Sequence, residues 1–244
     1  MVYYDSVSKE YINCRIPDKN IETKIKGSLS GASEVLNIGA GAGSYEQGIP
    51  SLLAVEPSWG MIQARENSSA PVIQSRAESL PIRSKVFSHG LSILSMHHWR
   101  DRVRAFEEIK RVIGYKFTAV TWDPSTEPFW LTRDYFPELI DWDRKIFPAM
   151  DEFKSFFDKV VLTPLPIPKH CTDGFMAAYW ARPELYLDSD VRAAISTFAK
   201  IKNVEQGLSM LDRDLQSEAW NEKNGHLLQE GSLDVGYKLV ECYI

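Results

Sequence analysis

The stretch that most limits what this chain can fold into is residues 35–44, V-L-N-I-G-A-G-A-G-S, where a short apolar run leads straight into Gly39, Gly41 and Gly43. A strand that stops on spaced glycines lets the backbone turn with positive φ. It also lets a ligand approach bare peptide N–H groups, because glycine has no Cβ. Nucleotide-like ligands sit at such strand ends in open α/β sheets. The spacing then separates ligand classes. The dinucleotide fingerprint GxGxxG has its third glycine where this chain has Ser44, and here that glycine comes one position early, at Gly43. A nicotinamide-dependent oxidoreductase is weakened at this first test.

The next landmark is acidic. Leu52, Leu53, Ala54 and Val55 form a second apolar run that ends in Glu56, and a carboxylate about 20 residues after the glycine turn is where such folds grip ribose hydroxyls. On residue type alone, a surface glutamate at a strand end is the better explanation of Glu56; paired with the glycine turn, the ribose reading overtakes it. Pro57 and Ser58 follow, and Ser58 is placed to cap a helix through Met61, Ile62 and Ala64. Residues 45–50 alone separate Ser44 from the second strand. A parallel crossover usually needs a dozen or more residues, so the first crossover helix is cut to at most about one turn, leaving the third-strand side of the site more open.

Further strands are expected at Val72–Gln74, 86–94, 116–121, 159–167 and 235–242. The clearest helix spans 100–113, with Val103, Phe106, Ile109, Val112 and Ile113 on one apolar face and Gly114 stopping it. Residues 1–30 read as a helical lead-in: Tyr3, Tyr4, Val7, Tyr11 and Ile12 recur at helical intervals, 15–18 breaks the pattern, and Ile21, Ile25 and Leu29 restart it. Helices are also expected at 171–180 and 190–216. Adjacent His97 and His98 fall at the carboxyl end of the fourth strand, where ligands bind; they lack metal-ligand spacing, but an imidazole with a pKa near 6.5 suits a general base. From 127 to 157 the chain is rich in aromatic residues, Trp130 and Trp142 among them. Those rings either wall a pocket or form the core of a cap.

Composition excludes several classes. A net charge of −5 without a lysine- or arginine-dense run argues against a nucleic-acid partner. Cys14, Cys171 and Cys242 are scattered, which suggests neither zinc nor a disulfide framework. Neither a signal-peptide segment nor a membrane-length apolar run is present. The expectation is a cytoplasmic protein without membrane attachment, folded as one domain.

Taken together, the GxGxG turn after an apolar strand, V-E-P-S-W-G-M, A-E-S-L-P at 77–81 and the S-M-H-H-W loop resemble the motifs of class I S-adenosylmethionine (SAM) dependent methyltransferases of the type 11 kind. Asn37 stands where that family usually has an acidic residue, losing a carboxylate but keeping a side-chain acceptor. The resemblance implies an α/β fold, a Rossmann-like seven-stranded sheet with helical cap insertions. It implies lid helices at 1–30, a SAM-binding core at 31–126, insertions at 127–157 and 169–232, and a C-terminal strand pair at 158–168 and 233–244. It implies SAM as cofactor, S-adenosylhomocysteine as product, and cofactor contacts from Tyr4, Tyr11, Arg15, Asn37, Gly39, Ala40, Gly41, Gly43, Glu56, Pro57, Met61, Ala77, Glu78 and Ser92. Arg15 would meet the methionine carboxylate, or be simply a solvated arginine at a helix end. No N-P-P-Y-like motif or Pro-Cys dipeptide marks a nucleobase or glutamine-amide acceptor, so the acceptor expected is a small, partly apolar molecule methylated on oxygen, nitrogen or carbon. His97 and His98 are the catalytic candidates, and Trp130 and Trp142 the substrate-wall candidates. A SAM-binding, non-catalytic partner subunit stays open beside this reading.

Overall fold

The computed structural model describes residues 14–201 and 203–244. Tyr4, Tyr11 and the first part of the lead-in lie outside the described residues. The chain builds a seven-stranded sheet with order β3-β2-β1-β4-β5-β9-β6. Its strands are β1 (Val35–Ile38), β2 (Leu52–Glu56), β3 (Val72–Gln74), β4 (Phe87–Ile93), β5 (Ile113–Trp122), β6 (Lys159–Pro164) and β9 (Tyr237–Tyr243). The first five pair in parallel, and β9 inserts antiparallel between β5 and β6. The order reverses between β1 and β4, and ligands of open α/β sheets bind outside the strand ends at such a reversal.

Alternating residues along the strands feed two cores. Val35, Ala54, Leu91 and Val120 join one cluster, together with Ile21 and Ile25 from helix α1 (Lys19–Ser28). Leu36, Ile38, Val55 and Ala119 join the other, against Phe106, Ile109 and Val112 of α3 (Arg102–Val112). Helix α1 is the predicted restart of the lead-in, and Asp18 caps it by accepting from the Asn20 and Ile21 N–H groups. The short α2 (Trp59–Gln63) is capped by Ser58, which accepts from Met61 N–H. The 45–50 link contains turns and no helix, in keeping with its length.

Several expectations are corrected. Gly114 does not stop α3: the helix ends at Val112 and Gly114 lies inside β5. Val103 is exposed rather than part of the buried helix face. The sixth strand ends at Pro164, because proline cannot extend a ladder, and β7 (Ile167–Pro168) pairs instead with β8 (Ser232–Leu233) in a separate ribbon. Residues 171–180 form turns rather than a helix. The 190–216 helix is broken into α6 (Ser189–Ala193), a 3-10 turn (Phe198–Lys200) and α7 (Val204–Gln216). The aromatic segment supplies a π-helical turn (Leu131–Tyr135), α4 (Pro137–Ile146) and α5 (Met150–Phe156), and α8 (Ala219–Asn224) follows α7. Among the described residues no helix is long and apolar enough to cross a membrane, and no group of three or more His, Cys, Asp or Glu is placed to hold a metal.

Candidate active site

A cavity of about 1030 Å³ opens at the carboxyl edge of β1, β2 and β4. Ligand sites run to about 300–1,000 Å³, so this one stands at the upper end of that range. One half is the glycine turn. Gly39, Gly41 and Gly43 have φ of +74°, +55° and +93°, conformations that a side chain would strain. At Gly39 an added Cβ would stand 2.4 Å from Ser95 Oγ, so the close approach of the loop after β4 also demands glycine there. Ser44, at the place of the dinucleotide fingerprint's third glycine, instead donates to the Arg15 carbonyl at 3.4 Å.

Glu56, at the end of β2, is 6% exposed and faces this turn. One carboxylate oxygen accepts from Gly41 N–H and the other from Ser58 N–H, both at 2.8 Å. An ionised carboxylate has about four acceptor sites, so two remain for a ligand. Burial holds its pKa above the ordinary value, opposed by the Ser58 and Gly41 N–H groups and by Arg65. Asn37, on β1, donates to Glu46 at 3.0 Å. Its Oδ1 is buried and, among the described residues, without a partner.

The cavity lining also includes Arg15, Ala40, Pro57, Met61, Ala77, Glu78, His97 and His98. Two of these are committed elsewhere as well: Arg15 pairs with Asp173 at 2.5 Å, and Glu78 accepts from Arg100 N–H at 2.7 Å and Asp101 N–H at 3.3 Å, ahead of α3. Ser92 is fully buried below the cavity and bonds Ser95 Oγ at 2.7 Å; it supports the loop rather than lining the space. Trp130 is 1% exposed, donates its indole N–H to the Trp180 carbonyl at 2.9 Å and packs edge-on against Tyr135, Tyr186 and Trp220. It is cap core. Trp142 is 42% exposed on the outer face of α4, with Lys200 Nζ 5.7 Å from its ring centroid. Neither tryptophan walls the cavity, and the substrate assignment to both is corrected.

The other half of the cavity is lined instead by Trp122, Phe129, Ile140, Phe147, Phe175 and Tyr237, with Thr132, Asp143, Thr197 and Lys200 as its polar members. His97 stacks on Phe147 with centroids 4.4 Å apart, and its buried Nδ1 has no partner among the described residues. The imidazole pKa expected near 6.5 is also corrected. Close packing, then the neighbouring His98 and Lys200, hold the half-buried His97 well below that value, and crowding on its inner side with Lys200 pushes His98 down to about 4 although its ring still reaches solvent. Both rings are neutral at neutral pH and weakly basic.

Sequence reading missed the packing that replaces the absent crossover helix. Glu46 and Arg65 form an ion pair at 2.5 Å with side chains 3% and 5% exposed. Glu46 also accepts from Ala70 N–H at 3.1 Å, and Arg65 donates to the Gly41 and Ala70 carbonyls, each at 3.0 Å. A second node joins the lead-in to the cap: Tyr45 Oη donates to Asp173 at 2.9 Å and accepts from Asp18 N–H at 3.2 Å. Neither node has a local sequence signal, because each partner is an ordinary polar residue far away in the chain.

Fold, glycine turn and buried acidic strand end together define a doubly wound α/β protein built for a nucleoside-type ligand. The chain belongs to the class I SAM-dependent methyltransferase family, whose members take their methyl group from SAM. The family model described as "Methyltransferase domain" matches residues 36–114. A crystal structure from Anabaena variabilis, provisionally assigned as a methyltransferase of an antibiotic biosynthesis pathway, is 31% identical, covers 95% of this chain and 100% of its own, and superposes with a TM-score of 0.87. Phosphoethanolamine N-methyltransferase 2 of Haemonchus contortus, solved with SAM, shares the fold at a TM-score of 0.56 and 14% identity, over 98% of this chain and 55% of its own. An uncharacterized protein of Methanocaldococcus jannaschii is 27% identical over 118 residues; that match covers 46% of this chain and 46% of the relative's length.

Proposed function

We propose that the glycine-turn half of the cavity holds SAM, that the aromatic half holds a small, partly apolar acceptor, and that the chain moves a methyl group to an oxygen, nitrogen or carbon of that acceptor. The observation that carries this reading is Glu56, a buried carboxylate with two acceptor sites still open, set against a positive-φ glycine turn in a cavity that continues into an aromatic half. The residues fit the cofactor. Glu56 has the chemistry to accept from two vicinal ribose hydroxyls, Asn37 Oδ1 is an acceptor awaiting a donor, and Gly39, Ala40, Gly41 and Gly43 present backbone rather than side chains. In this reading Pro57, Met61, Ala77 and Glu78, which line the cavity, flank the adenine, and Arg15, already paired with Asp173, meets the methionine carboxylate as well. The described part of the lead-in, from residue 14, and the segments 127–157 and 169–232 act as lid and cap.

SAM, when bound, supplies an electrophilic methyl on a sulfonium. The protein's share is alignment and exclusion of water. Holding two reactants in line at contact distance accounts for about 7–11 kcal/mol of a barrier. His97 and His98, neutral in this setting, offer hydrogen bonds beside the acceptor without placing a second positive charge near the sulfonium. A thermal-shift comparison tests the reading. At 100 times its dissociation constant S-adenosylhomocysteine adds about 2.7 kcal/mol, or several degrees in a chain of this size. A shift with NAD and none with S-adenosylhomocysteine would overturn it.

A further inference from the structure

Among the described residues the buried carboxylates around the cavity are tied down, with one exception. Glu46 is held by Arg65, Asp173 by Arg15 and Tyr45, Asp18 by the first turn of α1, and Glu56 by two backbone N–H groups. Asp143 is 8% exposed and lines the acceptor half, yet among the described residues the hydrogen bond its carboxylate accepts is a long one, 3.4 Å from Thr197 Oγ1. It stands four residues before Phe147, which closes α4 by donating its N–H to the Asp143 carbonyl at 2.9 Å, and Phe147 stacks on His97. The carboxylate therefore opens into the chamber floored by the loop after β4. The charged and titratable groups around it are Lys200 from the turn after α6, Tyr237 at the start of β9, and His97 and His98 from that loop.

We infer that Asp143 contacts the acceptor and takes its proton, and that the acceptor is an O–H acid, a phenol- or enol-like hydroxyl on an apolar body. This rests on the methyl-transfer reading above. A buried carboxylate requires donors, and the chamber leaves room for them to come from a ligand. A cationic amine is the commonest partner of a carboxylate, but Lys200 already lines this cavity with Asp143 and supplies a cation there. A neutral hydroxyl satisfies Asp143 without adding a cation. Burial pushes the Asp143 pKa up to about 7, against the opposing pull of Lys200 and Thr197, and a general base works best near the operating pH. In the step, the hydroxyl proton passes to an Asp143 carboxylate oxygen and an oxygen lone pair forms the bond to the methyl carbon. The carbon–sulfur bond breaks with its electron pair going to sulfur. The products are a methyl ether, neutral S-adenosylhomocysteine and protonated Asp143, which returns its proton to water on product release.

The test uses 2-naphthol and 2-naphthylamine as probes, followed by the transfer of a tritiated methyl group from SAM to each probe in the presence of the whole chain. The inference expects wild-type transfer to 2-naphthol, at least about 100-fold slower transfer to the amine, and a rate that rises with pH through about 7. Asp143→Asn should lower kcat by about 10²- to 10⁴-fold with a small change in KM and flatten that pH profile. Asp143→Glu should restore part of the rate, and S-adenosylhomocysteine affinity should stay within about twofold throughout. Preference for the amine, no transfer to 2-naphthol by a wild type that binds S-adenosylhomocysteine, or an undiminished rate in Asp143→Asn would each overturn it. The probe preference and the pH profile are read on the wild type, so the test survives a variant that fails to fold. A wild type that does not bind S-adenosylhomocysteine would instead bring down the underlying methyl-transfer reading.

Discussion

Replacing Glu46 tests whether a buried ion pair does the work of the missing crossover helix. Glu46 and Arg65 meet at 2.5 Å with side chains 3% and 5% exposed, and Glu46 also accepts from Asn37 and Ala70. Glu46→Gln keeps the shape and some hydrogen bonding but leaves the Arg65 guanidinium buried without its counter-charge. Breaking a buried pair from one side costs about 3–5 kcal/mol. At about 2–4 °C per kcal/mol for a chain of this length, the midpoint should fall by roughly 6–20 °C. The assay is thermal unfolding by circular dichroism, backed by urea titration. Adding Arg65→Met to Glu46→Gln should recover roughly 0.5–3 kcal/mol, the range of coupling energies for residues in contact. Because Arg65 also donates to the Gly41 carbonyl, the single variant should weaken S-adenosylhomocysteine binding as well. A loss below about 1 kcal/mol, the range of surface pairs, would refute the reasoning and return the link to the status of a plain loop.

Glu56→Ala should weaken S-adenosylhomocysteine binding by about 1.5–3 kcal/mol in calorimetry, the range for hydrogen bonds to a charged group; unaltered affinity would make Glu56 a structural cap for Gly41 and Ser58 alone. Trp130→Ala should cost about 3–5 kcal/mol of stability as a core truncation, and a mild loss of stability with a large loss of turnover would restore it to the pocket wall. Asp143 holds its proton in the folded state up to about pH 7, whereas the unfolded chain releases it in the ordinary aspartate range. Its contribution therefore falls as pH rises from about 4 to 7, on the order of a few kcal/mol. Asp143→Asn should lack that slope in denaturant titrations across the window, and parallel curves for the two proteins would contradict the assignment.

The cofactor half of the site was legible because its signals are local. An apolar strand into GxGxG fixes β1, the run ending in Glu56 fixes β2, and a link of 45–50 leaves no space for a helix. The acceptor half was not. Aromatic richness sets 127–157 apart from a plain connector, but composition does not say which rings turn inward: Trp130 packs in the cap core and Trp142 faces out, while Phe129 and Phe147 line the cavity. Residues 171–180 carry a helix-like apolar content that tertiary contacts override. Asp173 is pinned by Arg15 and Tyr45, and Gly174 lies so close to residue 14 that an added Cβ would stand 2.6 Å from the Cys14 carbonyl oxygen. Asp143 reads in sequence as one more charge on an amphipathic helix, and only the tertiary packing that buries it with Leu139 and Ile140 of α4 turns it inward.

The account's central claim meets its most direct test in a crystal structure of the protein with S-adenosylhomocysteine. The prediction is that both ribose hydroxyls donate to Glu56, that the amino-acid end lies against Gly39–Gly43 with its ammonium at Asn37 Oδ1, and that the sulfur faces the chamber holding His97 and Asp143. A ligand bound elsewhere, or ribose hydroxyls turned away from Glu56, would contradict it.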